Sequence, residues 1–502
     1  MPADGTRPIR LKHAPGIDTG AAPGDRQCAN PPGQPTPSSS TIADTVADPV
    51  NEFLPLPRLF ALGLQHLLVM YAGAIAVPLI VGNALGLSKS DLSYLVNCDL
   101  FAAGIGTLIQ SLGFLIFGIR LPVMMGVTFA AVAPMIAIGV EPGMGLPGIF
   151  GASIVSGVFG IAVAPLMGRL LGLFPRVVTG TVIMLIGFSL LSVGINWAAG
   201  GQQMIPQVVD GVRHMVPNPA FGDPFGLAIA ALVLVTILLL TKFGNALLCN
   251  IAVLLGIVTG TLVAAAFGKV SMADASAAPL MTLVTPFYFG MPKFELSAII
   301  SMCIVIVITL VESTGMFLAL AHVVGKPISR NELTNGLRAD GLATVVAGVF
   351  NTFPHTSFSQ NIGLVSITGV RSRYVAAAGG VLLIVLGLFP KLSYVVASVP
   401  QYVLGGAGIV MFGMVAAAGI RMLGMVDFQQ QRHNLLIIAV SVGFGMMPTL
   451  APAFFHHFPD WTRPITHSGI VMGTLVAVVL NAWFNGIRGS HEVIHGEAAA
   501  AH

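Results

Sequence analysis

Residues 351–373 read NTFPHTSFSQNIGLVSITGVRSR. The stretch lies among long apolar blocks, yet it is no ordinary apolar helix. Pro354 removes a backbone donor and fixes φ, a polar run from His355 to Asn361 follows, and Gly363 stands among β-branched residues. A second abnormal stretch, RLPVMMGVTFAAVAPM at 120–135, is interrupted by Pro122 and Gly126. Backbone that leaves the helix at membrane depth is tolerated only where protein or a water-filled cavity satisfies its N–H and C=O groups. Both stretches are therefore expected to be buried within the protein.

The surrounding sequence identifies the membrane as the solvent. Of 502 residues, 55% are hydrophobic and 9% charged, too apolar and charge-poor for a soluble globular chain. Apolar segments fall at 60–82, 94–117, 122–139, 148–171, 177–198, 224–241, 246–267, 296–324, 338–351, 357–368, 374–390, 397–420, 433–451 and 466–486. The reading is an all-α polytopic membrane protein with fourteen transmembrane segments, in which residues 58–488 form one membrane domain. Residues 1–50, rich in Pro, Gly, Ser and Asp and without an apolar core, read as a disordered tail, and 489–502 as a second tail. An even number of spans puts both termini on one side. Seventeen Lys and Arg fall on that side against six opposite (Lys89, Arg213, Lys269, Lys293, Lys391 and Arg463), which predicts cytoplasmic termini. A net charge of +3 gives no argument for nucleic acid. Cys28 lies in the tail, while Cys98, Cys249 and Cys303 lie in or beside separate apolar segments. No disulfide framework, metal site or cofactor is signalled.

The two interrupted spans are third and tenth, equivalent places if the chain is two sevenfold halves. An odd number of spans per half makes the repeats inverted, and paired broken spans point to a binding site at the repeat interface.

Several residues could carry chemistry there. Glu312, in SAIISMCIVIVITLVESTGMFLALAHVVG, shares 297–325 with no other charged residue except His322. A charge at a helix centre costs roughly 2.5–3.5 kcal/mol, so a role is expected: carrying a proton, accepting a substrate N–H, or both in turn. Packing by neighbouring helices is the plainer alternative. Gln360 and Asn361, after Phe358 and Ser359, offer amide donors and acceptors to a planar heterocycle, or to loose backbone at the break. Thr128 and Phe129 stand at the equivalent break of the third span, where a ring could stack on a flat substrate or simply pack. His66, in GLQHLLVMYAG, titrates near the cavity or is structural. Asp340, two residues from Arg338 at the start of the ninth span, is a proton relay or a helix-end residue. Asp99 is a weaker candidate of the same kind. His322, His355, His456 and His457 lack metal-type spacing and read as structural.

SQNIGLVSITGVRSR, with Gln360, Asn361, Gly363, Thr368 and Gly369, resembles the motif of the nucleobase/ascorbate transporter family, the nucleobase:cation symporters. Gln65 and His66, GVTFAAVAP in the third span and ESTG from Glu312 resemble that family in the expected order, covering about Arg58 to Arg488. The resemblance implies fourteen spans in two inverted repeats and short strands in spans 3 and 10. It implies a core domain (about 58–171 and 296–390) and a gate domain (about 177–267 and 397–488), usually in a homodimer. Glu312 and Gln360 would contact the base, with His66, Asp340 and Asn361 in supporting roles. Four residues after Glu312, one helical turn along, Met316 stands where uracil carriers have His and many xanthine carriers Asp. With NTFPHTSFSQN this is similar to the bacterial urate branch: a proton-coupled importer of a purine in the inner membrane, with xanthine or a broader purine and uracil range as the alternative. A neutral thioether at Met316 leaves room for the extra C8 oxygen of urate.

Two other classes remain. An inorganic-anion exchanger or channel on a similar fold would favour a cation at the site, where the sequence offers Glu312. A membrane-embedded enzyme would need a nucleophile and base or a metal constellation, and the sequence contains no such set.

Overall fold

The computed structural model describes residues 48–209, 212–270, 279–429 and 431–486. Most of the tail expected over 1–50, the tail at 489–502, and Cys28 lie outside the described residues. Asp48 already belongs to the fold. Its carboxylate accepts from Val50 N and starts a 3-10 turn, Pro49–Asn51, with Val50 and Leu54 buried and Ser372 Oγ donating to Glu52 O at 2.6 Å.

Most of the long apolar runs form helices, two of them, Leu56–Ala84 and His433–Leu450, with an interior proline at Pro78 and Pro448. In chain order they are α1 (Leu56–Ala84), α2 (Lys89–Leu112), α3 (Val132–Gly139), α4 (Gly145–Val163), α5 (Arg176–Ala198), α6 (Pro224–Phe243), α7 (Ala252–Ala266) and α8 (Leu296–Val324). There follow α9 (Arg330–Val349), α10 (Gln360–Thr368), α11 (Arg373–Gly387), α12 (Pro390–Ala397), α13 (Gln401–Leu423), α14 (His433–Leu450) and α15 (Gly469–Asn485). Among the described residues eight helices are long and apolar enough to cross a membrane: α1, α2, α4 with the turns that continue it to Leu173, α5, α6, α8, α13 and α14. Helices α11 and α12 bend by 81° at their junction, where Pro390 opens the second, and together pass the same test.

Boundaries depart from the hydropathy reading where end chemistry decides. The second apolar segment, expected to reach 117, stops as a helix at Leu112, because Gly113 takes φ 81° and Phe114 and Phe117 exchange backbone hydrogen bonds at 2.8 Å in a tight turn. The ninth, expected from 338, begins as a helix at Arg330. Ser329 and Glu332 form a capping box there, each satisfying a backbone N–H of the other. This corrects the placement of Asp340, which lies near the middle of α9 at 0% exposure and not at a helix end.

The two interrupted stretches meet. Strand β1 (Met125–Val127) pairs antiparallel with β4 (His355–Ser357), Met125 opposite Ser357 and Val127 opposite His355. A separate hairpin joins β2 (Met204–Val209) to β3 (Val212–Pro217). Helix packing falls into two sets. Helices α1, α2, α4, α8, α9 and α11 pack on one another and around the β1–β4 pair, while α5, α6, α7, α13, α14 and α15 pack mainly on one another.

Within the second set, α5 and α13 approach so closely that a Cβ at Gly187 would come within 2.2 Å of Ala416 N. Gly187→Val should therefore lower stability by about 1–3 kcal/mol, seen as an earlier thermal unfolding midpoint in detergent. Gly443→Val, where a Cβ meets no atom within 4 Å, should leave the midpoint in place.

Candidate functional site

The site is organised by the β1–β4 pair. Its ladder continues beyond the strands, with Thr128 N donating to Pro354 O and Phe358 N to Met124 O, both at 2.9 Å. Thr107 Oγ1 on α2 accepts from Met125 N at 2.9 Å. Backbone groups freed at both breaks are thus satisfied by protein, as apolar surroundings require. Each strand delivers the chain into a short helical piece. Beyond β1, Thr128 Oγ1 accepts from Ala130 N at 3.3 Å and caps the turn Phe129–Ala131, which leads into α3. Beyond β4, α10 starts at Gln360.

Side chains of the expected set gather at these starts. Ser359 and Gln360 are exposed, and a Cβ added at Gly363, one turn further, would meet no atom within 4 Å. Helix α8 packs against both α10 and the Phe129 turn. It contributes Glu312, which is partly exposed, and Gly315, whose Cβ position is likewise open. Phe358 is buried, its ring held against α1 and β1. A Cβ at Gly73 would lie 2.9 Å from Phe358 Cε1 and 3.8 Å from Phe129 Cζ, and one at Gly126 only 2.5 Å from Phe358 Cε2. Phe129 meets Phe412 of α13 edge to face at 5.9 Å. Met316 turns away from the open side. With Pro122, Val123, Phe317, Leu320, Ser357, Phe358 and Ile362 it lines a cavity of about 10 Å³, room for about one water.

Behind the strands lies a buried polar network. Asn361 Nδ2 donates to His66 O at 2.9 Å and to His66 Nδ1 at 3.1 Å, so Nδ1 is the acceptor and the ring proton of a neutral His66 sits on Nε2. Asp340 Oδ1 accepts from Gln110 Nε2 at 2.8 Å and from Ser357 Oγ at 3.2 Å, within electrostatic reach of Glu312. Ser313 and Thr356 join α8 to β4 through their hydroxyls at 3.1 Å. Asp99 accepts from Thr352 Oγ1 at 2.8 Å and stands 3.8 Å from His355 Nε2, whose Nδ1 donates to Phe353 O at 2.7 Å. His322 is exposed, as are His456 and His457, well away in sequence from either strand. Among the described residues no three His, Cys, Asp or Glu are grouped to hold a metal.

Gln110 is the residue that sequence reasoning missed. Its Nε2 also donates to Gly336 O at 3.0 Å, and its Oε1 accepts from Ile119 N at 3.0 Å, so one fully buried amide ties α2, α9, β4 and the chain entering β1. Its signal was weak: a glutamine near the end of an apolar helix resembles a surface residue. Gln110→Leu should cost about 1–3 kcal/mol of thermal stability by stranding the Ile119 N–H and Asp340. Gln110→Glu keeps an acceptor for Ile119 but sets a carboxyl against Asp340, and its unfolding midpoint should fall as well.

The sequence and fold have known relatives. Residues 57–454 match the model of a family described as the Permease family. The uric acid transporter UacT of Escherichia coli is 50% identical over 451 residues, 90% of this chain and 91% of that one. The xanthine permease of Bacillus subtilis is 44% identical over 428 residues, covering 85% of this chain and 94% of that one. The uric acid permease PucJ of the same organism is also 44% identical, covering 85% and 93%. Among solved structures, the transmembrane domain of a cyanobacterial bicarbonate transporter, BicA, superposes with a TM-score of 0.52 at 15% identity, over 86% of this chain and 98% of that one. The anion-transporter relative SLC26A9 gives 0.54 at 12% identity, over 84% and 65%. These two likenesses concern the fold alone. With four ordered motifs, a matched model over most of its length and relatives at this identity, the chain belongs to the nucleobase/ascorbate transporter family of permeases, a family of multi-pass membrane transporters.

Proposed function

We propose that this protein is a secondary active transporter that imports a purine base, urate foremost, coupled to protons by alternating access. The observation that carries the reading is the pairing of two broken spans, which sets the open start of α10 and the Phe129 turn against α8 and its one membrane carboxylate, Glu312. Two helical starts directed at one place favour an anionic or electron-rich substrate. The aromatic Phe129 suits a flat ring. Glu312 accepts a purine N–H and carries the coupling proton, and Gln360 pairs bidentately with the heterocycle edge. Ser359 and Thr128 border the same space. Phe358 backs it, and Asn361, His66 and Asp340 hold and relay from behind. Met316, packed beneath Phe358, acts on selectivity through that ring and the neighbouring cavity. The names of the relatives, uric acid and xanthine carriers, support a purine and place xanthine as the runner-up. A small inorganic anion, as carried by BicA, fits less well beside a carboxylate.

On this reading the fold has fourteen spans in two inverted seven-span repeats. The set built around the strands is the core domain (about 58–171 and 296–390), and the other set is the gate (about 177–267 and 397–488). The protein sits in the bacterial inner membrane with both termini cytoplasmic, as a homodimer. The two packing sets and the strand pair support the core and gate division.

Radiolabelled urate uptake into cells, with and without a protonophore, tests the proposal. Glu312→Gln should abolish accumulation against a gradient while retaining some binding. Wild-type uptake that ignores the protonophore and follows a sodium gradient would reassign the coupling ion. Gln360→Ala should reach the membrane normally and bind urate more weakly by about 1–3 kcal/mol, since a buried partner on the purine loses its amide. An unchanged affinity in a binding titration would move the recognition site elsewhere.

A further inference from the structure

The first turns of α9 border an open cleft of about 500 Å³ that the transport reading leaves unused. It is lined by Arg330, Asn331, Thr334, Asn335 and Arg338, and by Pro165 from the turn that follows α4. Positions 330, 334 and 338 recur every fourth residue and so share one side of the helix. Among the described residues neither arginine meets a carboxylate. Arg338 Nη1 donates to Asn335 Oδ1 at 3.4 Å; the acid nearest it in sequence, Asp340, is fully buried and accepts from Gln110 and Ser357, and Glu332, nearest to Arg330, is taken up by Ser329, whose N and Oγ both donate to it. Lys326 and Arg120 stand within electrostatic reach of Glu332. Arg330 reaches across to the other wall, where a Cβ at Gly168 would lie 3.8 Å from its Nη2. Two guanidinium forks with amide and hydroxyl neighbours and no protein anion match a phosphate, which accepts bidentate donors from several directions.

The neighbouring surface says where that phosphate comes from. Val158, Phe159 and Leu166 are 55%, 37% and 48% exposed, Ala162 between them is exposed too, and the stripe they form along α4 and its continuation runs into Pro165 and ends at the exposed Arg169. An apolar helical stripe on a membrane helix, leading into a basic cleft at the helix end, suits one molecule with an acyl chain and an anionic head. A soluble phosphate would use the arginines and have no need of the stripe. We propose that this cleft binds the phosphate headgroup of an anionic phospholipid whose acyl chain lies along Val158, Ala162 and Leu166. The proposal goes beyond the transport reading and needs only that α4 and its continuation span the bilayer.

The test uses the full chain in neutral detergent, titrated with phosphatidylglycerol, phosphatidylcholine or inorganic phosphate. Retained lipid is read by native mass spectrometry, together with the thermal unfolding midpoint. Wild type should prefer phosphatidylglycerol over phosphatidylcholine by about tenfold or more. The Arg330→Gln/Arg338→Gln variant should lose that preference, Arg330→Lys/Arg338→Lys should keep part of it, and Lys89→Gln should keep all of it. Purine binding, measured in parallel, reports folding independently of the cleft. If the double variant fails that check, Arg330→Gln alone carries the comparison. An equal lipid preference in the glutamine variant and wild type overturns the proposal. So does a midpoint shift with inorganic phosphate as large as that with phosphatidylglycerol.

Discussion

Everything at the centre of this molecule depends on six residues making backbone hydrogen bonds where a helix would ordinarily make its own. Breaking a span inside an apolar layer strands N–H and C=O groups at a cost of several kcal/mol each, and water is not there to take them. The β1–β4 pair satisfies the two breaks with each other, and neither would be tolerable alone. Once paired, the register is fixed. A slip of one residue would turn Phe358 and Thr128 to the wrong side and pull the Thr107 bond off Met125. The proposed site inherits its precision from this constraint. Thr128, Phe129, Ser359 and Gln360 are positioned because they are the residues that follow a locked strand.

The polar groups behind the strands extend the same logic to side chains. Asp340, Gln110, Ser357, Asn361 and His66 are buried together and nearly all have partners, as buried polar networks must to avoid a heavy penalty. The partners come from α1, α2, α9, α10 and β4, so the network also registers these elements against one another. Among the described residues Asp340 Oδ2 and Asn361 Oδ1 meet no hydrogen-bond partner, each on a residue otherwise held firmly. Asp340 is held in place by Gln110 and Ser357 within electrostatic reach of Glu312, and on that ground it enters the proposed coupling path as well as the scaffold.

What could be read from the sequence follows from which signals are local. The two broken spans were legible because proline and glycine act on their own backbone. Glu312 was legible because a single acid in twenty-nine residues of apolar helix has no bland explanation. Asp340 was misplaced because RNELTNGLRAD lacks the hydropathy of a span. Its helix starts at Arg330, set by the Ser329–Glu332 capping box well before the expected run at 338, and burial by α2 and α4 supplies what composition does not. Gln110 escaped notice because the groups its Nε2 donates to lie more than 200 residues away in sequence, and the Ile119 N–H that its Oε1 accepts from is backbone and leaves no side-chain pattern. The same limit applies to Met316. Spacing of four placed it one turn from Glu312, but the open side of α8 runs through Gly315, and Met316 faces Phe358 and the small cavity instead.

The two packing sets give the proposed mechanism its mechanical content. The strand pair, the polar network and Glu312 all belong to one set, so the groups proposed to recognise the substrate and carry the proton are packed as a unit. The aromatic side of the site does not share that property. Phe129 sits on the strand set and Phe412 on α13 of the other, and their rings meet edge to face at 5.9 Å. An edge contact of this kind contributes about 0.5–1.5 kcal/mol beyond its buried area, little enough to be exchanged for stacking of Phe129 on a planar ligand. This contact joins the two sets, whereas every bond of the strand ladder lies within one of them, so a displacement of one set against the other bears on the ring pair directly. On the transport reading, the Phe129–Phe412 pair is therefore where substrate occupancy and domain movement touch the same atoms.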